Sequence, residues 1–130
     1  MTPEVKAKRH FINRHGPIGF LGGIPTVKDP LTIHHIKAKR NGGTLKIYNL
    51  APLTRSNHDR FNRLEKKLPW VAAHLNEVFL TIDELTDLKT FIEIVQSNKE
   101  IIDEYYPQVA YTGNENKGKK KTYKNRSRRR

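Results

Sequence analysis

A set of five polar side chains between residues 31 and 62 constrains the fold of this chain more than any other feature of its sequence. Its members are His34, His35, Asn49, His58 and Asn62, and their sequence numbers differ successively by 1, 14, 9 and 4. Histidine is the side chain that most often serves as a proton acceptor or metal ligand at neutral pH. Three histidines and two asparagines within 29 residues therefore mark this segment as the candidate functional region.

The residues around this set predict two short strands followed by a helix. The segment 31–36 is β-branched and alternating, which favours a strand. The Asn-Gly-Gly sequence at 41–43 is a strong turn signal, and 44–48 is predicted to be the antiparallel return strand, which Ala51-Pro52 ends. Thr54 and Ser56 are both suitable N-caps for a helix that runs to about residue 67.

Helices are predicted on both sides of this ββα unit. Thr2-Pro3-Glu4 is typical of a helix start, and the first helix is expected to end near Gly16. Pro69 starts a further helix, and another begins near Asp83 and runs to about residue 106. The apolar stripe expected on the last helix comprises Leu85, Leu88, Ile92, Val95 and Ile102, and Trp70 and Phe79 are also expected in the core.

We therefore expect an α+β fold with three parts. The ββα core and its N-terminal helix occupy residues 1–68, and a helical hairpin packed on or beside that core occupies 69–107. Residues 108–130 contain almost no aliphatic side chains and are predicted to be a disordered tail.

The net charge of +12 is divided unevenly between these parts. Residues 1–68 carry 14 Lys or Arg against 4 Asp or Glu, residues 69–107 carry 2 against 8, and residues 108–130 carry 9 against 1. A basic segment around the candidate site is the electrostatic pattern that phosphate-backbone binding requires. The acidic segment is unsuited to nucleic acid, so it is a candidate surface for a protein partner.

The five-residue set resembles the HNH endonuclease motif, which has a ββα-metal fold. The His-rich version present here is similar to that of colicin nuclease domains and phage HNH enzymes. The resemblance implies hydrolysis of phosphodiester bonds in duplex DNA with one divalent metal ion, most readily Mg²⁺ or Mn²⁺, with Ni²⁺, Zn²⁺ or Co²⁺ as alternatives.

The resemblance also assigns a role to each member of the set. His35 matches the general base, and His34 and His58 match metal ligands. Asn49 matches the residue that holds the base in place by hydrogen-bonding the backbone, and Asn62 is a further ligand candidate. Because strand side chains alternate, the assignment demands a bend between His34 and His35.

The same resemblance implies phosphate contacts from cations near the site. These are expected to be Lys37, Lys39, Arg40, Arg55, Arg60 and Arg63. Two other functions fit the sequence as well. One is an HNH-fold nucleic-acid-binding protein that has lost catalysis, and the other is an inhibitor or interaction protein that works through the acidic helices 69–106.

Composition bounds the location of the protein. The chain has no cysteine, and no apolar run approaches the roughly 18 residues that a membrane span needs. Its N-terminus lacks the pattern of a signal peptide. We expect a cytoplasmic protein without a membrane partner, of the kind that phages and mobile elements encode.

Overall fold

The computed structural model describes residues 2–37, 43, 46, 49–82 and 87–110. Its elements in chain order are α1 (Pro3–His15), β1 (Leu31–His35), β2 (Leu50–Thr54), α2 (Arg55–Lys67), α3 (Pro69–Ile82), α4 (Leu88–Tyr105) and a 3-10 helix (Tyr106–Gln108). The predicted α+β class is confirmed, because two antiparallel strands are followed directly by a helix and are surrounded by further helices. No helix within the described ranges is long and apolar enough to cross a membrane.

Local capping signals set the ends of α1 and α2 as predicted. The Thr2 hydroxyl accepts a hydrogen bond from the Val5 N–H at 3.2 Å, and α1 ends at Gly16, whose φ of 90° favours glycine. Thr54 caps α2 by accepting from the Asn57 N–H. The Asp29 carboxylate accepts from both the backbone N–H and the hydroxyl of Ser56, at 2.8 and 2.7 Å, which lowers the pKa of that carboxyl.

The strand that pairs with β1 lies later in the chain than the sequence predicts. Residues 44, 45, 47 and 48 lie outside the described residues, as do 41 and 42 of the predicted turn. Ala51 and Pro52 were expected to end the return strand, and this prediction is wrong because they occupy the middle of β2. The Pro52 carbonyl accepts from the Phe20 N–H at 2.8 Å, so its backbone faces away from β1 and the missing N–H removes no bond between the strands.

One hydrophobic core joins the elements on both sides of residue 68. Its fully buried aromatic side chains come from α1, the segment between α1 and β1, α2, α3 and α4, and they are Phe11, Phe20, Phe61, Phe79 and Phe91. The ββα unit and the following helices thus exclude water from each other. The division of the chain at residue 68 into separate parts stays a prediction.

Helix α4 begins later than predicted, and its predicted apolar stripe is buried only in part. Residues 83–86 are outside the described residues, and the Asp87 carboxylate caps the helix by accepting from the N–H groups of Lys89 and Thr90. Leu88 and Ile92 are 58% and 43% exposed, whereas Val95 and Ile102 of the same stripe are buried as expected. Phe91, which the predicted stripe did not include, is also buried, because apolar side chains lie on more than one face of α4 and periodicity alone does not separate them.

The segment between α1 and β1 is held in place by buried carboxamides. Asn98 of α4 is 1% exposed and donates from Nδ2 to the Phe20 carbonyl at 2.9 Å. Asn57 of α2 donates from Nδ2 to the Gly22 carbonyl at 3.2 Å. These bonds satisfy backbone carbonyls that the fold removes from water.

We predict that Asn98→Ala lowers the free energy of unfolding by about 1–3 kcal/mol, because it leaves the buried Phe20 carbonyl without its donor. Urea denaturation followed by circular dichroism measures the change. Gln96→Ala, at an exposed position on the same helix, is the matched control and is expected to change stability by less than about 0.5 kcal/mol. Equal effects of the two substitutions would contradict the anchoring role.

Candidate functional site

The candidate site lies where one face of β1 packs against α2. Thr32 and His34 are two residues apart and therefore share this face. The His34 ring is 6% exposed, with its centroid 4.6 Å from that of Phe61 and 5.5 Å from that of His58. The predicted approach of His34 to His58 across 24 residues of sequence is therefore present in the fold.

A threonine hydroxyl orients the imidazole of His58. Thr32 Oγ1 lies 2.9 Å from the Leu53 carbonyl, to which it donates, and 2.7 Å from His58 Nδ1. A hydroxyl has one proton, so Thr32 accepts from Nδ1–H, and neutral His58 carries its lone pair on Nε2. Burial lowers the pKa of His58, which favours this neutral form. His58 is thus oriented as a base or a ligand.

His34 occupies a more enclosed position. Its Nε2 donates to Asn76 Oδ1 of α3 at 2.9 Å, which leaves the lone pair of the neutral ring on Nδ1. Burial lowers the pKa of His34 to about 4, and the neighbouring imidazoles of His58 and His35 act in the same direction. The ring is therefore neutral at physiological pH.

His35 is the last residue of β1. The strand pairing is continuous from Leu31 opposite Thr54 to His35 opposite Leu50, so the register contains no bulge between His34 and His35. The bend that the resemblance demanded is absent from this pairing. His35 nevertheless lies within electrostatic range of both His34 and His58. Its Nε2 is buried and makes no hydrogen bond to any described residue.

Asn49 holds the chain directly after the histidine pair. Its Oδ1 accepts from the Lys37 N–H at 2.8 Å, and its Nδ2 donates to the Lys37 carbonyl at 3.1 Å. The Asn49 carbonyl also accepts from the Ile36 N–H at 2.8 Å. Three hydrogen bonds thus connect Asn49 to the two residues that follow His35, which is the backbone contact that the resemblance implied.

Asn62 is exposed one helical turn beyond His58. Its side chain lines a cleft together with Asp59, Lys66 and Tyr106. The carboxamide is therefore accessible to a ligand at the edge of the site.

The six predicted phosphate contacts have different surroundings. Lys37 and Arg55 are exposed, and Lys39 and Arg40 lie outside the described residues. Arg60 donates to Asn57 and forms an ion pair with Asp103 at 2.9 Å. Arg63 is 7% exposed and donates from Nε to the Val109 carbonyl at 2.7 Å, so it supports the core, whereas the sequence suggested a surface contact.

Sequence reasoning did not find Thr32 or Asn76. Thr32 has one local signal, because it shares a strand face with His34. Asn76 has none, since it lies 42 residues from His34 and in a segment predicted to be a separate hairpin. Both residues contact a histidine through the nitrogen that does not carry the lone pair.

Two strands and a helix that bring histidines together form the ββα arrangement that the sequence predicts. Residues 22–63 match the family model described as HNH endonuclease. The match confirms the predicted resemblance of this segment to the HNH family. Searches of curated proteins and of solved structures found no match.

The side chains assigned to a divalent metal fit that role in part. Metal–nitrogen bonds of about 2.1 Å place the centroids of two imidazoles on one ion roughly 5–6 Å apart, and the 5.5 Å between His34 and His58 agrees with this. No group of three His, Cys, Asp or Glu side chains in the described part of the chain is close enough to hold an ion. The predicted further ligand, Asn62, lies one helical turn beyond His58 and is exposed.

We predict that Thr32→Val weakens Mn²⁺ binding about 10- to 100-fold, because it removes the acceptor that orients His58. Thr32→Ser keeps the hydroxyl and is expected to bind as wild type does. Calorimetric titration measures both, with His58→Ala as the reference for loss of the ligand itself. Wild-type affinity in Thr32→Val would contradict the orienting role.

We predict that His34 makes the metal-free protein sensitive to mild acid. Its pKa is about 4 when folded and near 6.5 when unfolded, so the unfolded chain binds more protons between these values. The free energy of unfolding should fall as pH drops from 6.5 to 4, by up to about 3 kcal/mol from this group. Urea denaturation in EDTA across this range should show a shallower pH dependence for His34→Gln, and equal dependence would contradict the prediction.

Proposed function

We propose that this protein is a metal-dependent HNH endonuclease that hydrolyses phosphodiester bonds of DNA. The observation that carries the proposal is the assembly of His34, His35 and His58 at one end of β1, within the segment that matches the HNH family. A fold alone does not define a function, but this arrangement supplies the side chains that the reaction needs.

His35 is the proposed general base. A neutral imidazole accepts a proton from water near neutral pH, and the resulting nucleophile attacks the phosphorus. Nε2 of His35 makes no hydrogen bond to any described residue, so no described protein group competes for it. Asn49 positions the base by fixing the backbone of Ile36 and Lys37 immediately after it.

His58 and His34 are the proposed imidazole ligands of the metal, and Asn62 is the proposed oxygen ligand. A divalent ion held by these groups supplies positive charge to the phosphate and to the departing oxygen. Thr32 and Asn76 hold the two imidazoles through the opposite ring nitrogen. Mg²⁺ or Mn²⁺ is the proposed metal, with Ni²⁺, Zn²⁺ and Co²⁺ as alternatives for a site with two imidazoles.

Duplex DNA is the proposed substrate, bound through its phosphates. Lys37 and Arg55 are exposed near the ends of β1 and β2, and we include Lys39 and Arg40 because they follow in sequence. Arg60 and Arg63 are excluded from the proposed interface because Asp103 and the Val109 carbonyl engage them. The proposed location is the cytoplasm, either of the cell that encodes the protein or of a cell that carries a phage encoding it.

We predict that wild-type protein converts supercoiled plasmid to open-circular or linear DNA with a divalent metal, and that His35→Ala lowers the rate at least 100-fold. The reason is that the variant lacks the group that deprotonates water. Gel electrophoresis with Mg²⁺, Mn²⁺, Ni²⁺, Zn²⁺ or EDTA measures the conversion.

His74→Ala is the matched control, because it removes an exposed histidine outside the proposed site. It should cleave at the wild-type rate, and DNA binding by His35→Ala should be retained. Wild-type cleavage by His35→Ala would contradict the mechanism.

A second candidate is an HNH-fold protein that binds nucleic acid without cutting it. The observation that favours it is the position of His34, whose ring is buried against Phe61 and bonded to Asn76 as a packing side chain would be. Retained DNA binding with no cleavage under any of the metals would select this function. An inhibitor acting through the acidic helices is distinguished by stoichiometric complex formation with a protein.

A further inference from the structure

A second surface with the character of a nucleic-acid site lies at the junction of α2, α3 and the end of α4. We define this junction surface by Lys66, Lys67, Trp70, Tyr105 and Tyr106. Trp70 was expected in the core, but it is 60% exposed. Its ring meets that of Tyr105 edge to face with centroids 5.1 Å apart. The indole is thus held beside a second aromatic ring while much of its surface faces solvent.

A polar cleft adjoins the junction surface. The cleft has a volume of about 410 Å³ and is lined by Asp59, Asn62, Arg63, Lys66 and Tyr106. Asn62 belongs to the proposed metal site, whereas Lys66 and Tyr106 belong to the junction surface. A ligand that occupies the cleft therefore touches both.

Two lysines give the junction surface its positive charge. Lys66 and Lys67 are exposed in the last turn of α2. The carboxylate of Asp103 is paired with Arg60 and Lys99, at 2.9 and 2.7 Å, whereas Asp59 lines the cleft and Glu104 lies beside Tyr105.

The basic C-terminal segment follows Val109 in the sequence. Val109, whose carbonyl is held by Arg63 of the cleft, is the next-to-last described residue. Residues 111–130 add nine Lys or Arg against one Glu. Lysines beside the exposed ring of Trp70 are the combination that single-stranded nucleic acid recognises, because every unpaired base has a face that stacks.

We propose that the junction surface binds an unpaired nucleic-acid strand next to the site of cleavage. Bases stack on Trp70 and Tyr105, and phosphates lie along Lys66 and Lys67. Asn62, the proposed oxygen ligand of the metal, lines the cleft beside this surface. The link to cleavage rests on the proposed nuclease function, whereas the binding itself does not. A duplex does not satisfy the surface, since paired bases keep their faces stacked on each other.

Trp70 is the only tryptophan of the chain, so its fluorescence reports occupancy directly. Titration of the full-length protein with a 20-nucleotide oligothymidylate in EDTA should quench this fluorescence to saturation, and an equal length of duplex should quench it less. Anisotropy of the labelled oligonucleotide should show about tenfold weaker binding to Trp70→Ala, the effect of losing one stacked base, and near wild-type binding to Trp70→Phe.

The role of the lysines is tested by a pair of charge-matched variants. Lys66→Gln with Lys67→Gln should weaken oligonucleotide binding more than Lys6→Gln with Arg9→Gln, which removes the same charge from α1. Equal weakening by the two pairs would overturn the proposal in favour of diffuse attraction. Absence of quenching, or quenching by duplex alone, would also overturn it.

These results separate the binding surface from the nuclease. Quenching without plasmid cleavage under any metal would leave the surface established and the proposed nuclease function contradicted. Cleavage without quenching would support the nuclease function and contradict the binding surface. Circular dichroism of Trp70→Ala checks that this exposed substitution leaves the fold intact.

Discussion

The register between β1 and β2 is the constraint on which the candidate site depends. Pairing of Thr32 with Leu53 and of His34 with Ala51 directs both side chains to the face that α2 covers. A slip of one residue would turn them to the opposite face and separate both from His58. Two sets of hydrogen bonds hold this register. The Pro52 carbonyl, in the middle of β2, accepts from the Phe20 N–H, and Asn49, just before β2, bonds Lys37. The site is therefore a consequence of strand pairing as much as of histidine spacing.

The helices that follow the HNH segment contribute to that site directly. Asn76 of α3 accepts a hydrogen bond from His34, and the ring centroid of Phe79 on the same helix lies 6.0 Å from that of His34. Asn98 of α4 holds the segment that precedes β1. The segment 22–63 therefore relies on groups outside itself for both the burial and the orientation of its histidines. Burial keeps His34 neutral, which suits a metal ligand and disfavours the folded state in acid.

Signals close in sequence predicted the elements well, and contacts distant in sequence escaped prediction. Thr2 and Thr54 fix helix starts through bonds three residues away, so the caps are readable from sequence. The return strand was predicted too early in the chain, because Pro52 was interpreted as the residue that ends it. The buried face of α4 was predicted only in part, because Ile92 and Phe91 are both apolar and only the tertiary contacts show that Phe91 is the buried one. The Thr32–His58 bond spans 26 residues and carries no pattern that a sequence displays.

The central claim is that the histidines assembled by the strand register hold a divalent metal. Crystals of the full-length protein grown with Mn²⁺ and measured at the manganese absorption edge test it directly. An anomalous peak within about 2.3 Å of His58 Nε2, bounded by His34 and Asn62, is the predicted result. A well-ordered site at saturating Mn²⁺ with no such peak, or with the ion bound only elsewhere, would contradict the account.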